Sequence, residues 1–515
     1  MSKAIERIVI VGGGTAGWLT ASVIASKFRS RIEAGQFSVT LVESPDIRIV
    51  GVGEATWPSI RLTLHKIGVS ETEFFRNCDA AFKQGAKFVR WVTGRDDDAY
   101  YHPLMLPQGF SDLNLAPHWL HDARGVSYSA AVTPQEALCE RGLAPKTIDT
   151  PEFEPVANYA YHFDTGRMGP FLQKHSVEKL GVRHIRANVL SAKLAENGDI
   201  DSLVTREAGE IAGDLFVDCT GFASLLIGKT LGVGFKDCND VLFCDAALAV
   251  NVPYDRPDAP VASHTIKTAT SAGWIWDISL ASRRGIGHTY SSRHTSDDQA
   301  ERELRQYIGP TKADLNIHKI PIRPGYRETF WKNNCVAVGL SAGFFEPLES
   351  SSIVLIELSA KLIADKMPAN RDLMRIVSAQ FNEVTLYRYW RIIDFLKLHY
   401  ILTKRTDTKF WVDIADPATV PDRLKSSMEI WKYRPPWIFD EFDRLEEMFP
   451  AASYQYLLYG MGFQTEVDPL DLANSEALAT KHLQRSAALT ERLCRTMPTN
   501  RQLLDQIRDQ GLRPN

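Results

Sequence analysis

Short apolar runs bounded by glycine, proline or charge dominate the first two-thirds of this chain. Longer runs with helical spacing dominate the last third. Residues 7–11 (RIVIV) and 38–43 (SVTLVE) read as buried strands, with a helix over 15–28 between them, which predicts a strand–helix–strand unit. Ser70-Glu71-Thr72-Glu73 is a capping-box pattern opening a short helix toward Cys78. Further strands are predicted at 85–92, 184–189, 214–218 and 335–339, and alternation at 245–252, 274–280 and 285–290 predicts more sheet. Residues 95–165, rich in Pro, Asp and aromatics, show little period and predict ordered irregular structure over a site. A helix is predicted from 351 to 366. Beyond it the pattern is mostly helical, at 371–402, 422–433, 438–448, 453–460 and 474–510. The expectation is an α/β unit over 1–375 with a substrate-facing sheet, followed by a mostly helical subdomain over 376–515.

A chain of 515 residues is too long for one ordinary core, and 44% apolar residues are enough to fill a large interior. The net charge of −4 supplies no basic surface for nucleic acid or an anionic membrane. No uncharged apolar stretch approaches the length of a membrane span. The N-terminus, MSKAIERIVIVGGG, lacks the basic, apolar, small-residue order of a signal peptide. Seven dispersed cysteines without a CxxC fit a reducing cytoplasm better than a disulfide scaffold, and no metal site is expected.

The first chemistry lies between the first strand and its helix. In Gly12-Gly13-Gly14-Thr15-Ala16-Gly17, the residues Gly12, Gly14 and Gly17 allow a tight turn, close approach of a pyrophosphate and helix–strand packing. The helix N-terminus then faces the phosphates. Glu43, ending the second strand, is placed to accept bonds from a ribose hydroxyl. The plain alternative is a glycine turn without a ligand. Two later segments, DLFVDCTG (214–221) and VAVGLSAGF (336–344), end short apolar strands in small residues, and so favour FAD over NAD. Gly339 and Leu340 belong to the second of these. Gly51-Val52-Gly53-Glu54-Ala55-Thr56 is a further glycine turn, expected beside the isoalloxazine ring.

Several motifs stand together with these: GGGTAGW (12–18), GVGEATWP (51–58), FKQGAKFVRW (82–91), YHP (101–103), GWIWDI (273–278), GFFEPLESSSI (343–353), IDFLKLHY (393–400) and TDTKFW (406–411). In this set the chain resembles the flavin-dependent tryptophan halogenases, a branch of the flavin monooxygenase superfamily. The family's WxWxIP pattern is met by Trp274, Trp276 and Ile278, with Ser279 in the place of proline. The resemblance implies a Rossmann-like flavin-monooxygenase fold and FAD used as FADH2. It also implies a separate flavin reductase, and chloride or bromide oxidised to hypohalous acid that reaches a second chamber. It places the essential lysine at Lys83, the carboxylate at Glu349 and the halide-binding amides at Ser351 and Ser352. Gly53, Glu54, Ala55, Thr15 and Ala16 join the cofactor set. The implied partners are the reductase, a small aromatic substrate and, at most, a second copy of the chain.

Residue chemistry agrees. A desolvated ammonium at Lys83 donates strong hydrogen bonds; deprotonated, it attacks electrophilic halogen. Glu349 can polarise a lysine-bound oxidant or take the ring proton, although a carboxylate ahead of a helix is also favoured by the helix dipole alone. The free N–H groups at Ser350-Ser351-Ser352 suit a halide, and serine also caps helices. Trp274 and Trp276, two apart on a strand, face one side, as core residues or as a screen between substrate and flavin. A flavin hydroxylase, which needs neither Lys83 nor Glu349, and a flavin-binding regulator without turnover are the rival readings.

For the substrate, His102 matches the first plate of the family's indole sandwich and Leu104 stands where a Phe is usual. Tyr454 lies in the segment that grips the amino-acid group. Residues 453–463 (SYQYLLYGMGF) carry no acid to meet an ammonium, which a buried ammonium needs. Indole, or an indole derivative, is therefore expected over free tryptophan.

Overall fold

The computed structural model describes residues 4–47, 53–122, 125–312, 314–438 and 447–515. Among them, six strands form a sheet in the order Trp331–Lys332, Cys335–Ala337, Leu215–Asp218, Arg7–Val11, Ser38–Glu43, Arg183–Arg186. It is parallel apart from its Trp331–Lys332 edge. Its central strand is apolar because both faces are covered: Ile8 and Ile10 are fully buried. The helix Thr15–Lys27 leaves the C-terminal end of that strand and lies against the helices Thr165–Leu180 and Ser351–Asp365.

A second sheet has seven strands, ordered His318–Pro321, Ala246–Pro253, Arg283–Tyr290, Gly273–Ser279, Thr265–Ala269, Gly85–Val89, Ala99–Pro103. Its register decides what the site contains. Tyr100 pairs with Phe88, Phe88 with Lys267, Lys267 with Trp276, and Trp276 with Gly287. These side chains therefore share one face in a row. A Cβ at Gly287 would run into the Trp276 indole, so glycine there makes room for the ring. A small sheet, Gly53–Ala55, Ala160–Asp164, Ala81–Lys83, connects the two larger ones.

After Met374 the regular elements of the described residues are helices, at Met374–Ile401, Lys409–Ile414, Asp422–Trp431, Ala451–Gly460, Glu476–Thr496 and Asn500–Gln510 among others. They share one hydrophobic cluster with the sheets, from Ile8 through Trp274 to Tyr454 and Leu503. No helix of the described residues is long and apolar enough to cross a membrane.

Several local expectations need correction. Residues 95–165 hold two strands and three short helices, each too short to show a period in sequence. The helix Thr165–Leu180 is hidden in sequence by Pro170 and two glycines; Asp164 caps it by accepting from the Gly166 amide at 2.8 Å. The helices Ser59–Lys66 and Asp297–Ile308 were likewise not expected. Residues 474–510 are two helices, broken at Pro498 and restarted by a capping box between Thr499 and Gln502. At Ser70 half the predicted box forms: its Oγ accepts from the Glu73 amide, and Glu152 takes the reciprocal place by accepting from Ser70 Oγ and the Thr72 amide. Lys83 ends a short strand of its own, Ala81–Lys83, two residues before the predicted strand that starts at Gly85. The predicted helix at 438–448 falls largely outside the described residues, as do Gly51 and Val52.

Candidate active site

The glycine loop opens onto a cavity of about 390 Å³. Gly14, Thr15, Ala16, Gly53, Glu54, Ala55, Gly339 and Leu340 line it, and so do Ser350, Ser351, Ser352, Trp276 and Ile278. Segments scattered from residue 14 to residue 356 thus converge on one space, which suits a large flat cofactor better than a local turn. The glycines divide the work. A Cβ at Gly12 would strike the Cys219 carbonyl, and one at Gly17 the Gly12 carbonyl, so these two permit the turn and the packing. A Cβ at Gly14 would meet no protein atom within 4 Å and would project into the cavity. Gly14 is thus small for whatever fills that space. Glu43 does not line the cavity. Its carboxylate folds beside Gly13 and lies 2.9 Å from His184 Nε2. Burial pushes the Glu54 carboxyl up to about 7.

Behind the serine wall lies the polar cluster. Lys83 Nζ donates to the Thr56 carbonyl at 3.1 Å and to Ser350 Oγ at 3.3 Å. One hydroxyl therefore separates the lysine from the cavity. Ser350 has φ 53°, a left-handed turn that sends its side chain to Lys83 instead of capping the helix Ser351–Asp365. Ser351 and Ser352 open that helix and line the cavity, and first-turn amides have no partner within their own helix. Burial, and then the charge on Lys267, pull Lys83 down to about 7.

Glu349 is 5% exposed, and it is surrounded. His102 Nδ1 is 3.1 Å from Oε2, His399 Nε2 is 3.0 Å from Oε1, and Lys267 Nζ is 3.7 Å from Oε1. Its backbone carbonyl accepts from Trp57 Nε1 at 2.7 Å. Burial alone would raise this carboxyl; the Lys267 charge, His102 and His399 overcome it and hold Glu349 well below the usual carboxylate range. Burial pulls His399 down to about 4, so its imidazole is neutral at pH 7, and Nδ1 meets the Tyr100 hydroxyl at 2.7 Å.

The structure places the remaining predicted residues unevenly. His102 joins Glu349 to Ser453, whose Oγ is 2.9 Å from Nε2. Leu104 is half-buried, and its amide is bonded to Gln84 and Gln135. Tyr454 is fully buried, 4.9 Å edge-on to Phe395, with its hydroxyl accepting from Arg391 at 2.8 Å. Its neighbours Ser453 and Tyr456 are the residues of that helix nearest His102. Trp276 lines the cavity. Trp274 stands behind it, 6.1 Å away ring to ring, and donates to Glu346 Oε2 at 2.7 Å. Sequence reasoning missed Lys267, His399, Ser453 and Tyr400. His399 lies within IDFLKLHY (393–400), whereas nothing local in T-I-K-T-A (265–269) marks which side of its strand Lys267 takes.

The tryptophan halogenase family model matches residues 7–476, and the chain belongs to that family of flavin-dependent oxidoreductases. The crystal structure of a tryptophan halogenase from Shewanella frigidimarina NCIMB 400 is 43% identical, with a TM-score of 0.96 over 100% of this chain and 99% of that one. Tryptophan 6-halogenase SttH from Streptomyces toxytricini is 37% identical over 478 residues, 89% of each chain. BrvH, a flavin-dependent halogenase from Brevundimonas sp. BAL3, is 36% identical, with a TM-score of 0.86 over 98% of this chain and 99% of that one.

The space at Gly14 gives a direct test of where the cofactor lies. Gly14→Val should fold, since the added carbons meet no protein, but should lose FAD uptake in a flavin fluorescence titration. Tight binding by this variant would mean that the glycine loop is only a turn.

Proposed function

We propose that this enzyme uses FADH2, O2 and chloride or bromide to halogenate an electron-rich aromatic, with indole or an indole derivative preferred over free tryptophan. The observation that carries the reading is the bond from buried Lys83 to Ser350, a residue of the cavity wall, with Glu349 next to it in the chain and paired with Lys267. When bound, reduced flavin would supply the two electrons that bring O2 to the peroxide level, the oxidant that takes two electrons from halide to give hypohalous acid. The Ser351 and Ser352 amides hold the halide. Lys83, reached through Ser350, fixes the oxidant as a hydrogen-bond donor or as an amine that carries halogen. Glu349, kept ionised, accepts the ring proton on a carboxylate oxygen. Trp276 and Ile278 keep the substrate from the flavin, which favours halogenation over hydroxylation. A separate flavin reductase is the proposed partner, and seven unpaired cysteines support a reducing compartment, the cytoplasm.

For the substrate, the acid beside His102 is Glu349, already faced by Lys267 and His399, and the other residues near His102 are Ser453, Tyr456 and Phe395, all uncharged. Glu447, four residues before the helix Ala451–Gly460, is bonded to Arg391 and Tyr387. Free tryptophan is the second reading, favoured by the names of relatives such as SttH.

Lys83→Ala should abolish halogenation while FAD binding and FADH2 oxidation continue; normal halogenated product from a folded variant would sink the mechanism. Product mass separates the readings, a halogen isotope pattern against the gain of one oxygen. Glu349→Gln, nearly isosteric, should slow halogenation by roughly 10²–10⁴-fold, the scale of a lost general base. An unchanged rate would reduce Glu349 to a helix-start residue.

Indole should exceed L-tryptophan in kcat/KM, compared side by side with one reductase and bromide. Each missing hydrogen bond from an ammonium to a charged partner costs about 1.5–3 kcal/mol, roughly ten- to hundredfold in binding. Preference for L-tryptophan would mean that a carboxylate elsewhere meets the ammonium. Asp440, Glu441, Asp443 and Glu446, outside the described residues, would be the first to replace.

A further inference from the structure

We propose that Lys267 is a second lysine of the active site, a positioning residue that takes the Glu349 carboxylate for itself and leaves Lys83 with neutral partners, so that Lys83 meets the oxidant as a free amine. The inference rests on the roles proposed above for Lys83 and Glu349.

Lys267 sits in the middle of the strand Thr265–Ala269 and is 1% exposed. Its Nζ makes no hydrogen bond among the described residues. It lies 4.4 Å from the centre of the Phe88 ring and 3.7 Å from Glu349 Oε1. Buried lysines that serve only structure look different in this molecule. Lys146 Nζ is bonded to Glu71, to the carbonyls of Pro151 and Glu154, and to the Tyr159 hydroxyl. Lys397 Nζ is bonded to the carbonyls of Val241 and Ile414. Lys267 instead turns its ammonium onto one carboxylate beside the proposed chemistry. A buried charge is tolerated when it is paired, and its pairing is with Glu349.

The charge count then decides which lysine gives up its proton. From the strand Ala99–Pro103, His102 and Tyr100 face this cluster. His399 faces it from the helix Met374–Ile401, and Lys83 from the strand Ala81–Lys83. His162, on the strand Ala160–Asp164, sits between Thr265 and the Ser279 carbonyl, and burial pulls it well below its usual range. Glu349 is the carboxylate in contact with Lys267, His102 and His399. With Lys267 and the two histidines on Glu349, Lys83 keeps only the Thr56 carbonyl and the Ser350 hydroxyl. Neither favours an ammonium as a bonded carboxylate would; burial and then the Lys267 charge oppose one there, against the unbonded pull of Glu349.

As a free amine, Lys83 attacks the halogen of hypohalous acid. The N–X bond forms as the O–X bond breaks, and the displaced hydroxide leaves with an amine proton as water. When the ring attacks X, the N–X electron pair returns to nitrogen. The ring proton passes to Glu349 and then to Lys83, restoring both.

The test is the pH dependence of single-turnover halogenation of indole with chemically reduced FAD and bromide. In the wild type the rate should rise with pH as Lys83 loses its proton. Lys267→Met removes the repelling charge and frees Glu349 for Lys83, so that rise should move up by about one unit or more, with a roughly tenfold lower rate at pH 7 that recovers at higher pH. Lys267→Arg keeps the charge and should restore the wild-type profile. FAD binding and oxidation of FADH2 should be unchanged in both; where Lys267→Met fails to bind FAD, Lys267→Gln is read in its place. A neutral variant with the wild-type profile and rate overturns the role of Lys267. A wild-type enzyme that halogenates no aromatic overturns the underlying function instead.

Discussion

Two hydrogen bonds from Lys83 Nζ, to the Thr56 carbonyl and to Ser350 Oγ, draw three remote stretches of chain to one point. Thr56 follows the strand Gly53–Ala55, Lys83 ends the strand Ala81–Lys83, and Ser350 turns the chain into the helix Ser351–Asp365. Each stretch also meets the flavin cavity or the carboxylate cluster, so the lysine fixes the distance between them. The arrangement is rigid for a local reason. Thr56 is itself bonded to Tyr161 through both its amide and its hydroxyl, and Trp57 holds the Glu349 carbonyl. A side chain with four rotatable bonds is thereby held where a mobile surface lysine would not be.

The seven-stranded sheet supplies the other wall, and here register does the selecting. Shifting the strand Thr265–Ala269 by one residue would send Lys267 to the far face and bring Ile266 or Thr268 beside Glu349. The register is secured from both sides, by Trp276 lying over Gly287 and by Phe88 stacking on Tyr100 at 4.7 Å. The Trp91 indole nitrogen adds a bond to the Lys267 carbonyl at 3.0 Å. The tryptophan motif thus does more than its sequence suggests. Trp276 borders the cavity, whereas Trp274 ties the sheet to Glu346 beneath it.

Much of this was legible before any coordinates. The glycine loop, the strands at 7–11 and 38–43 and the helix at 351–366 depend on local spacing, and local spacing is what sequence displays. The convergence of Gly14, Gly53, Gly339 and Ser350–Ser352 was legible only through motif resemblance, because nothing local links them. What stayed hidden was of two kinds. Thr165–Leu180 and the short helices within 95–165 lack a clear period, since proline, glycine or brevity erases it. Lys267 and His399 were hidden because their meaning is a contact. A lysine on an alternating strand looks like a solvated residue until the register turns it inward. Tyr454 was singled out in its helix, but the fold gives that tyrosine to Arg391 and turns Ser453 and Tyr456 toward His102.

Two carboxyls, Glu346 and Glu349, stand one turn apart and are driven in opposite directions. Glu346 is fully buried; its Oε2 accepts from Trp274 and from the Tyr400 hydroxyl at 2.6 Å, and burial prevails to raise it. Glu349, nearly as buried, is driven down because Lys267 and His102 face it. Solvent exposure cannot explain the difference, since both are enclosed. Nor can the chain segment, since Pro347 and Leu348 alone separate them. The Lys267 charge explains it, with His102 and His399 beside the carboxylate, and Lys267 and His102 are placed there by strand register. The same backbone turn therefore yields a carboxyl raised by burial that anchors a tryptophan, and one held ionised by its neighbours. Without Lys267, Glu349 would lose the charge that most offsets its burial, and Lys83 would be the cation left to replace it.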